Sequence, residues 1–467
     1  MAKVLVLGGG VCGLAAGLML SRDGHRVTVL ERDPSPLPAS PEAAWEAWER
    51  QGVAQFRQAH ILQARGRLVL DAELPDVREA LLEAGGLAIE WLRLMPPTIT
   101  DRDPRPGDER LATVTARRAA FELVLARAAE AQDGLDVRRG VEAAELDVDG
   151  TRVRGVWTDG GERLDADLVV DATGRRSRMP AMLGDGIAEE AEDSGFIYYT
   201  RFYRSADGST PVPRTGILTP FESFSVLTLP ADAGTWSITL YAASGDRPLK
   251  ALRHAPAFTA AVKACPRHAH WLDGEPITDV LAMGGVLDRR RRVDPSTVTG
   301  LALVGDAWAC TNPSLGHGMS LGLWHAALLR SVLREHGDDA DAFACAFDEA
   351  TERELSPWYE ATVTVDRARL AQLEAARTGG PYEIPADPAS RLRAALSIAT
   401  GLDSDAFRAQ IEIANALTLP AEVFKRPGLA EKVLSAAAAR GSAGTPGPDR
   451  AQLLELVSSA GAPAAAG

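Results

Sequence analysis

The chain has 467 residues, which is enough for two or three domains and too long for one compact core. Hydrophobic residues make up 46% of it and charged residues 24%, as in a globular enzyme and unlike a fibrous or wholly disordered protein. The formal net charge of -14 argues against a duplex nucleic-acid binder and against docking on an anionic membrane.

The four cysteines lie far apart and form no CxxC pair, so the sequence predicts neither a disulfide framework nor a zinc site. His268 and His270 lie near Cys265 but lack a fourth ligand at a standard spacing, and no metal is expected. This cysteine usage favours a reducing, cytoplasmic location. The uncharged stretch 4–20 is short for a spanning helix, so no integral membrane segment is predicted.

The first thirty residues predict a βαβ unit. Residues 3–7 form an apolar run typical of a buried parallel strand, and a glycine turn and a helix to about Arg22 follow. A second strand is predicted over 26–30. Helical patterns resume over 43–84, and a further helix is predicted over 113–129 after a short strand.

The middle of the chain predicts a different architecture. Strands are expected over 135–158 and 164–171, and aromatic and β-branched strands alternate with turns over 195–277, as in a mostly antiparallel sheet. A parallel-type strand returns at 300–304 and is followed by a helix to about residue 335. Residues 337–440 predict further helices.

The stretch Gly8–Gly13 reads GGGVCG, a GxGxxG pattern between a strand and a helix. Its glycines permit a tight turn, a close approach of backbone N–H groups to a pyrophosphate, and close helix–strand packing. Glu31 ends the second strand, where its carboxylate can accept hydrogen bonds from a ribose diol. The predicted dinucleotide contacts are therefore Gly8, Gly10, Val11, Cys12, Gly13, Glu31 and Arg32.

Two later motifs also follow predicted strands. The first is Asp171–Ser177 (DATGRRS), and the second is Gly305-Asp306-Ala307, with a proline and two glycines downstream at the mouth of a helix. This ordered set, from residue 1 to about 335, resembles the group A flavoprotein monooxygenases, the family of p-hydroxybenzoate hydroxylase. The resemblance implies FAD as the cofactor.

By that resemblance Asp306 would hold the ribityl chain or pyrophosphate of FAD, and the loop after it would pass beside the isoalloxazine. The helix that follows would point its N-terminus at the N1–C2 edge of the isoalloxazine ring, where reduced flavin carries negative charge. Arg118 would contact FAD, unless it is an exposed helix charge. The further cofactor contacts that the resemblance implies are Arg118, Gly174, Gly305, Asp306, Pro313, Gly316, Gly318 and Met319.

Within the family, residues 52–55 with Arg57 and His60 look most similar to bacterial squalene-epoxidase-like and polyether-epoxidase-like enzymes of natural-product pathways. His60 is a cofactor-side residue on that basis, or else a plain helix-face histidine. The family's chemistry implies capture of O2 as a flavin C4a-hydroperoxide and hydroxylation or epoxidation of an apolar small molecule, in secondary metabolism.

Two departures from the family pattern concern the electron donor and the third motif. The second motif usually reads Asp-Gly, and in the family this aspartate serves both FAD and NAD(P)H. Because Thr173 here precedes Gly174, two routes of flavin reduction stay open. NAD(P)H acts either directly or through a separate flavin reductase. Ala309 stands where a histidine often follows the third motif.

Candidates for catalysis are fewer. His317, between two glycines of the flavin loop, is the single candidate for an active-site polar group, with Trp308 and Asn312 in the same loop as weaker candidates for the pocket. Tyr199 and Arg201 share one face of a strand in the inserted sheet and are predicted to line the pocket, or else to be core.

The run 288–292 (DRRRR) is either a clamp for a phosphate or carboxylate or a solvated turn.

The predicted fold is α/β: a Rossmann-type, glutathione-reductase-like FAD-binding domain with an inserted, mostly antiparallel substrate domain and a C-terminal helical region. The boundaries are 1–75, 111–180 and 286–335 for the FAD-binding domain, 76–110 and 181–285 for the substrate domain, 336–440 for the helical region and 441–467 for a disordered tail, with a helix over 449–457 as an alternative.

Three other functions stay open. One is a FAD-dependent dehydrogenase or reductase similar to geranylgeranyl reductases. Another is a flavin-dependent halogenase, although Trp45 and Trp48 do not fit the WxWxIP motif of those enzymes. The non-enzyme alternative is a protein that reuses the fold to bind other proteins, as in the GDP-dissociation inhibitors.

Overall fold

The structure, a computed structural model, describes residues 1–440 and 445–461. Its centre is a five-stranded, fully parallel sheet. Its strands are apolar and buried on both faces, except for the partly exposed edge strand 135–139. From edge to edge the strands are β18 (Leu301–Leu303), β9 (Leu168–Asp171), β1 (Lys3–Leu7), β2 (Arg26–Glu31) and β5 (Leu135–Arg139).

Helices cover the parallel sheet, and their apolar sides share its core. They are α1 (Val11–Arg22), α3 (Ala64–Glu73), α4 (Pro75–Glu83), α5 (Arg118–Glu130), α8 (Gly318–His336) and α9 (Ala340–Glu354). Helix α4 was predicted to begin the substrate domain. That boundary is wrong, because Val77 and Leu81 are buried in the core of the parallel sheet.

The predicted helical stretch 43–84 is interrupted. A short helix α2 (Pro41–Ala47) precedes an irregular segment that runs to α3. Two small sheets flank the nucleotide-type unit. They are the pair β3 (Leu87–Ile89) and β4 (Thr113–Thr115), and the meander β6 (Ala143–Asp149), β7 (Arg152–Thr158) and β8 (Arg163–Asp165).

The inserted sheet is antiparallel, as its alternating strands predicted, and β11 pairs with β14 over its full length. Its strands are β12 (Leu218–Pro220), β13 (Ser225–Pro230), β14 (Thr235–Ala243), β11 (Phe196–Arg204), β15 (Glu275–Pro276) and β16 (Leu281–Met283), with helix α7 (Ala255–Lys263) against one face.

A three-stranded sheet joins the two units. It contains β10 (Ile187–Asp193), β17 (Leu287–Val293) and β19 (Ala309–Cys310), next to the short helix α6 (Met179–Leu183). The alternative of a solvated turn over 288–292 is therefore wrong. Charged side chains here pair across strands, since Arg290 faces Glu190 and Arg291 bonds to Glu189.

The C-terminal region is helical, with α10 (Ser356–Thr378), α11 (Pro388–Ala399), α12 (Ser404–Ala414), α13 (Pro420–Val423), α14 (Leu429–Arg440) and α15 (Arg450–Gly461). No helix among residues 1–440 and 445–461 is long and apolar enough to cross a membrane.

The prediction of a disordered tail is wrong for α15. Leu453 and Val457 are buried against α7 in the core of the inserted unit, and Arg450 pairs with the buried Asp246 at 2.7 Å. Residues 441–444 and 462–467 of that predicted tail lie outside the described residues.

Candidate cofactor and substrate cavity

A cavity of about 500 Å³ lies where the carboxyl ends of the parallel strands meet the inserted sheet. Ligands of open α/β sheets bind at this edge. Fourteen of the fifteen predicted cofactor contacts line it: Gly8, Gly10, Val11, Cys12, Glu31, Arg32, Arg118, Gly174, Gly305, Asp306, Pro313, Gly316, Gly318 and Met319.

The glycines of the first motif have different neighbours. A Cβ on Gly13 would lie 1.9 Å from the carbonyl oxygen of Gly8, so Gly13 packs the helix against the turn and does not line the cavity. Gly8 has φ +98°, and a Cβ there would meet the Ala172 carbonyl oxygen at 2.7 Å. A Cβ on Gly10 would meet nothing within 4 Å and would project into open space. That empty cradle at the start of α1 suits a pyrophosphate.

Glu31 is held by the buried Arg50, which no sequence motif indicated. Its Oε2 accepts from the Gly9 N–H at 3.0 Å and from Nη2 of Arg50 at 2.9 Å, while Oε1 accepts from the Asp33 N–H at 2.8 Å. A carboxylate offers about four acceptor positions, so one stays available for a ribose hydroxyl. Two buried acids at the end of β2, Glu31 and Asp33, were the signal that a cation had to lie nearby.

Arg50 also bonds to Glu122 at 2.8 Å, and Glu122 in turn accepts from Arg118 at 2.6 Å. Burial alone would raise the pKa of Glu122, but the guanidinium groups of Arg118 and Arg50 hold it below its usual value. Arg118 is thereby fixed at the cavity wall and is not an exposed helix charge.

His60 lines the cavity beside Arg118. Its Nδ1 lies 2.9 Å from the Gln58 carbonyl oxygen, which can only accept, so Nδ1 carries the proton and Nε2 accepts from Arg118 at 3.3 Å. Burial, with the nearby Arg118, lowers the pKa of His60 to about 3. His60 is therefore a neutral, cavity-facing residue and not a plain helix-face histidine.

Asp306 opens onto the cavity, and its carboxylate accepts no side-chain hydrogen bond from the described residues. Burial raises its pKa, and Arg118, Arg175 and Arg289 oppose that rise. A buried carboxylate without a partner costs free energy unless a ligand supplies donors. The hydroxyl groups of a ribityl chain are such donors, so the residues present fit FAD.

The loop from Pro313 to Gly318 lines the cavity and leads into α8, whose first residue is Gly318. Asn312 precedes this loop and is buried behind it, contrary to the prediction that it lines the pocket. Its backbone N–H donates to Asp288 at 2.7 Å, and its Nδ2 donates at 3.0 Å to Asp366 on α10. Trp308, in contrast, does line the cavity.

The face of β11 that lines the cavity is the opposite one from that predicted. Tyr198 and Thr200 line it, together with Thr239 of β14, whose hydroxyl lies 2.9 Å from that of Thr200. The prediction for Tyr199 and Arg201 is wrong. Tyr199 is buried in the core beneath α7, and Arg201 bonds to the Thr278 carbonyl oxygen at 3.1 Å.

His317 does not line the cavity, so its placement as the catalytic residue is wrong. Its side chain points to the C-terminal region, where Nε2 donates to the Ala414 carbonyl oxygen at 3.0 Å and Nδ1 lies 3.3 Å from the Thr362 hydroxyl. Burial lowers its pKa to about 4, which leaves the ring neutral. His317 anchors the loop from behind.

The second motif is held together by Asp171, which is fully buried. Its carboxylate accepts hydrogen bonds from the Thr173 N–H at 2.9 Å and from the hydroxyls of Thr173 and Ser177. The carboxylate thus organises the turn, while Thr173 and Gly174 reach the cavity. The side chain at the position of the family's aspartate is therefore an uncharged hydroxyl.

This chain is similar to known flavoproteins. A family described as FAD binding domain matches residues 1–342. Chloroplastic zeaxanthin epoxidase of Solanum lycopersicum is 29% identical over 206 residues, which cover 42% of this chain and only 28% of that protein. Kynurenine 3-monooxygenase of Salinispora tropica is 26% identical over 366 residues, which cover 73% of this chain and 75% of that protein.

Among solved structures, pqsL, a probable FAD-dependent monooxygenase from Pseudomonas aeruginosa, superposes with a TM-score of 0.61 at 17% identity, covering 81% of this chain and 98% of that one. At this identity the likeness concerns the fold. Because the family matches most of the chain, this protein belongs to the FAD binding domain family and, as its three motifs predicted, to the group A flavoprotein monooxygenases.

Proposed function

We propose that this protein is a FAD-dependent monooxygenase that hydroxylates or epoxidises a small molecule. The supporting observation is the continuity of one cavity. The same space is lined by the three cofactor motifs and by Tyr198, Thr200 and Thr239 of the inserted sheet, so a substrate on that sheet would lie against the cofactor.

The residues for holding FAD are distributed along this cavity. In this proposal the turn at Gly10 would hold the pyrophosphate, Glu31 with Arg50 would hold the ribose, and Asp306 would hold the ribityl chain; Gly10, Glu31, Arg50 and Asp306 all line the cavity. Bound FAD supplies the oxygen-activating chemistry, and the protein supplies a shaped cavity that limits water.

The inserted sheet forms the substrate side of the cavity. The Thr200 and Thr239 hydroxyls satisfy each other, which leaves few free polar groups on that wall and suits an apolar part of a substrate. Epoxidation of an alkene needs no protein base, and the two histidines that line the cavity, His60 and His325, are held neutral by burial.

The electron donor in this proposal is NAD(P)H, acting directly or through a separate flavin reductase. Thr173, in place of the family's aspartate, favours the second route. A cytoplasmic location is part of the same proposal, supported by four cysteines that are all unpaired in the described structure.

The first test is the colour and the oxygen balance of the purified protein. We expect a yellow protein with flavin absorbance. With reduced flavin and a panel of alkenes and phenols, one atom of labelled O2 should appear in the product. A protein that stays colourless after incubation with FAD would contradict the proposal. Dehydrogenation of a substrate without incorporation of oxygen would favour the alternative of a FAD-dependent reductase.

The second test separates the two routes of reduction. NADPH and NADH are mixed with the FAD-loaded protein, with and without an added flavin reductase, and flavin bleaching is followed at its visible absorbance. Slow bleaching by both nicotinamides alone, and fast bleaching with the reductase, is the expected result. Rapid direct bleaching would remove the two-component route.

A further inference from the structure

Asp366 on helix α10 accepts two hydrogen bonds from the segment that borders the cavity. Its Oδ1 accepts from the Ser314 hydroxyl at 2.6 Å and from Nδ2 of Asn312 at 3.0 Å. Asp366 is only 2% exposed, and it lies outside residues 1–342, which the FAD binding domain family matches. The motifs for FAD therefore do not account for this buried acid.

The direction of these hydrogen bonds fixes the Asn312 side chain. Oδ1 of Asp366 also receives the hydrogen of Ser314, and Oδ2 has no partner among the described residues, so Oδ1 is the accepting oxygen. Asn312 therefore presents its Nδ2 to Asp366, and its own Oδ1 points to the other side. The backbone N–H of Asn312 donates to Asp288 at 2.7 Å and holds the residue in place.

Asn312 passes this direction on to Tyr198. The Tyr198 hydroxyl reaches Asn312 Oδ1, and an amide oxygen can only accept, so Tyr198 donates its hydrogen to Asn312. A hydroxyl has one hydrogen and two lone pairs. What Tyr198 can offer to a further group is therefore a lone pair, and toward that group it is an acceptor.

Tyr198 lines the cavity, although its partner Asn312 does not. The residues on either side of Asn312, Thr311 and Pro313, do line it. The Tyr198 hydroxyl therefore lies where the inserted sheet meets the loop that leads into α8.

The rest of this wall is poor in free polar groups. The hydroxyls of Thr200 and Thr239 lie 2.9 Å apart and bond to each other, and Leu227 and Met283 contribute apolar side chains. A substrate on this wall meets the Tyr198 lone pair against a mostly apolar background, where an unpaired polar contact is costly. A hydroxyl or N–H placed there is stabilised, whereas an ether or carbonyl oxygen is repelled.

We propose that Asp366 is a positioning residue that, through Asn312, makes the Tyr198 hydroxyl a hydrogen-bond acceptor toward the cavity. The part of the substrate held against Tyr198 therefore carries a donor, a hydroxyl or an N–H. This inference rests on the proposed function for the presence of a substrate. It narrows that substrate from an apolar molecule to an apolar molecule with a hydrogen-bond donor.

The test is calorimetric titration of the FAD-loaded protein with two matched pairs of probes. Indole carries an N–H where its isostere benzofuran carries an oxygen without hydrogen, and 2-phenylindole and 2-phenylbenzofuran form a longer pair of the same kind. We expect the indole member of at least one pair to bind at least about fivefold more tightly than its isostere. In Tyr198→Phe the two Kd values should agree within about twofold.

Asp366 is tested through the same preference. Asp366→Leu frees Asn312 to turn its Nδ2 to Tyr198, so the preference should be lost. Asp366→Asn keeps a side-chain oxygen for Asn312 and Ser314 and should retain it. This rescue separates positioning from charge, because both substitutions remove the carboxylate. Asn312→Leu removes the acceptor of Tyr198 directly and should also lose the preference, which decides the question if Asp366→Leu does not fold.

Tyr199→Phe is the matched control, because Tyr199 is the neighbouring tyrosine and is buried in the core beneath α7. Its preference should equal that of wild type. FAD content and melting temperature are measured first for every variant. A wild-type protein that takes up no FAD would contradict the proposed function, whereas the probe preference, then measured on the protein as purified, still reports on Tyr198.

Three results would overturn the inference. The first is equal affinity within both pairs for wild type, or no binding of either indole. The second is an unchanged preference in Tyr198→Phe. The third is that Asp366→Leu or Asn312→Leu folds and keeps the preference, or that Asp366→Asn loses it as fully as Asp366→Leu.

Discussion

Arg50 donates to Glu31 at 2.9 Å from a position where the arginine side chain is only 2% exposed, and the same guanidinium bonds to Asp33 and Glu122. One cation therefore compensates three buried carboxylates from two parts of the chain. Arg50→Met keeps most of the volume and removes the charge. Breaking a buried ionic cluster from one side costs about 3–5 kcal/mol of unfolding free energy, because the partner charges stay buried.

Denaturant unfolding measures the Arg50→Met effect. Arg353→Met is its control, since Arg353 and Glu354 form an exposed pair, and its free energy of unfolding should not change measurably. Equal stability of both variants would show that the buried cluster contributes no more than a surface pair.

Substitutions of Gly10 and Gly13, which lie three residues apart, should have opposite effects. Gly10→Val adds a side chain where nothing lies within 4 Å, so the protein should fold with an unchanged melting temperature and bind FAD at least about tenfold more weakly. Gly13→Ala places a Cβ 1.9 Å from the Gly8 carbonyl oxygen and should cost about 1–3 kcal/mol or more of stability. FAD titration of the apoprotein and thermal unfolding separate the two. A destabilised Gly10→Val with normal FAD affinity would contradict the assigned roles.

The buried carboxyl group of Asp366 should make the free energy of unfolding depend on pH. Burial raises its pKa to about 7, although Ser314 and Asn312 donate to it. Between about pH 4 and pH 7 the folded protein keeps a proton that the unfolded chain releases, so the contribution of Asp366 to the unfolding free energy falls as pH rises and levels off above pH 7.

Asp366→Asn removes this titration and keeps a side-chain oxygen as acceptor. The stability difference, variant minus wild type, should increase by up to about 4 kcal/mol between pH 4 and pH 8 in denaturant unfolding. The exposed Asp338→Asn should show no such increase. A pH-independent difference for Asp366→Asn would mean that this carboxyl titrates near its ordinary pKa.

Tyr198 and Tyr199 are adjacent tyrosines with different hydroxyl environments. The Tyr198 hydroxyl donates to Asn312 Oδ1, whereas the buried Tyr199 hydroxyl has no partner among the described residues. Tyr198→Phe leaves a buried acceptor unpaired and should cost about 1–3 kcal/mol, while Tyr199→Phe should be neutral or slightly stabilising. Tyr198→Phe alone should also shift the visible absorbance of bound FAD, because only Tyr198 lines the cavity. The reverse order of effects would contradict the observed strand face.

Local patterns predicted the strands and turns around the cavity well. The first strand has the predicted bounds 3–7, and Gly8, Asp306 and Gly318 all lie at the cavity, because strand, turn and helix signals are encoded within a few residues. Tyr199 shows the limit. A strand with aromatic residues on both faces does not reveal which face its partners bury, and here α7 buries the face that carries Tyr199.

His317 and Arg50 show a different limit, that of long-range contacts. The direction of the His317 side chain is set by Thr362 and Ala414, which follow it by 45 and 97 residues. Arg50 bonds to acids that lie 17 to 72 residues away along the chain. No motif or periodicity relates such positions.

Helix α15 has a consequence for how the protein is made. Leu453 and Val457 complete a core whose other members, such as Phe258 and Val262, leave the ribosome roughly 190 residues earlier. At about 5–20 residues per second, that apolar surface stays uncovered for roughly 10–40 s during synthesis. The inserted unit therefore cannot complete its core until α15 has left the ribosome, and its exposed apolar surface can associate with other chains until then.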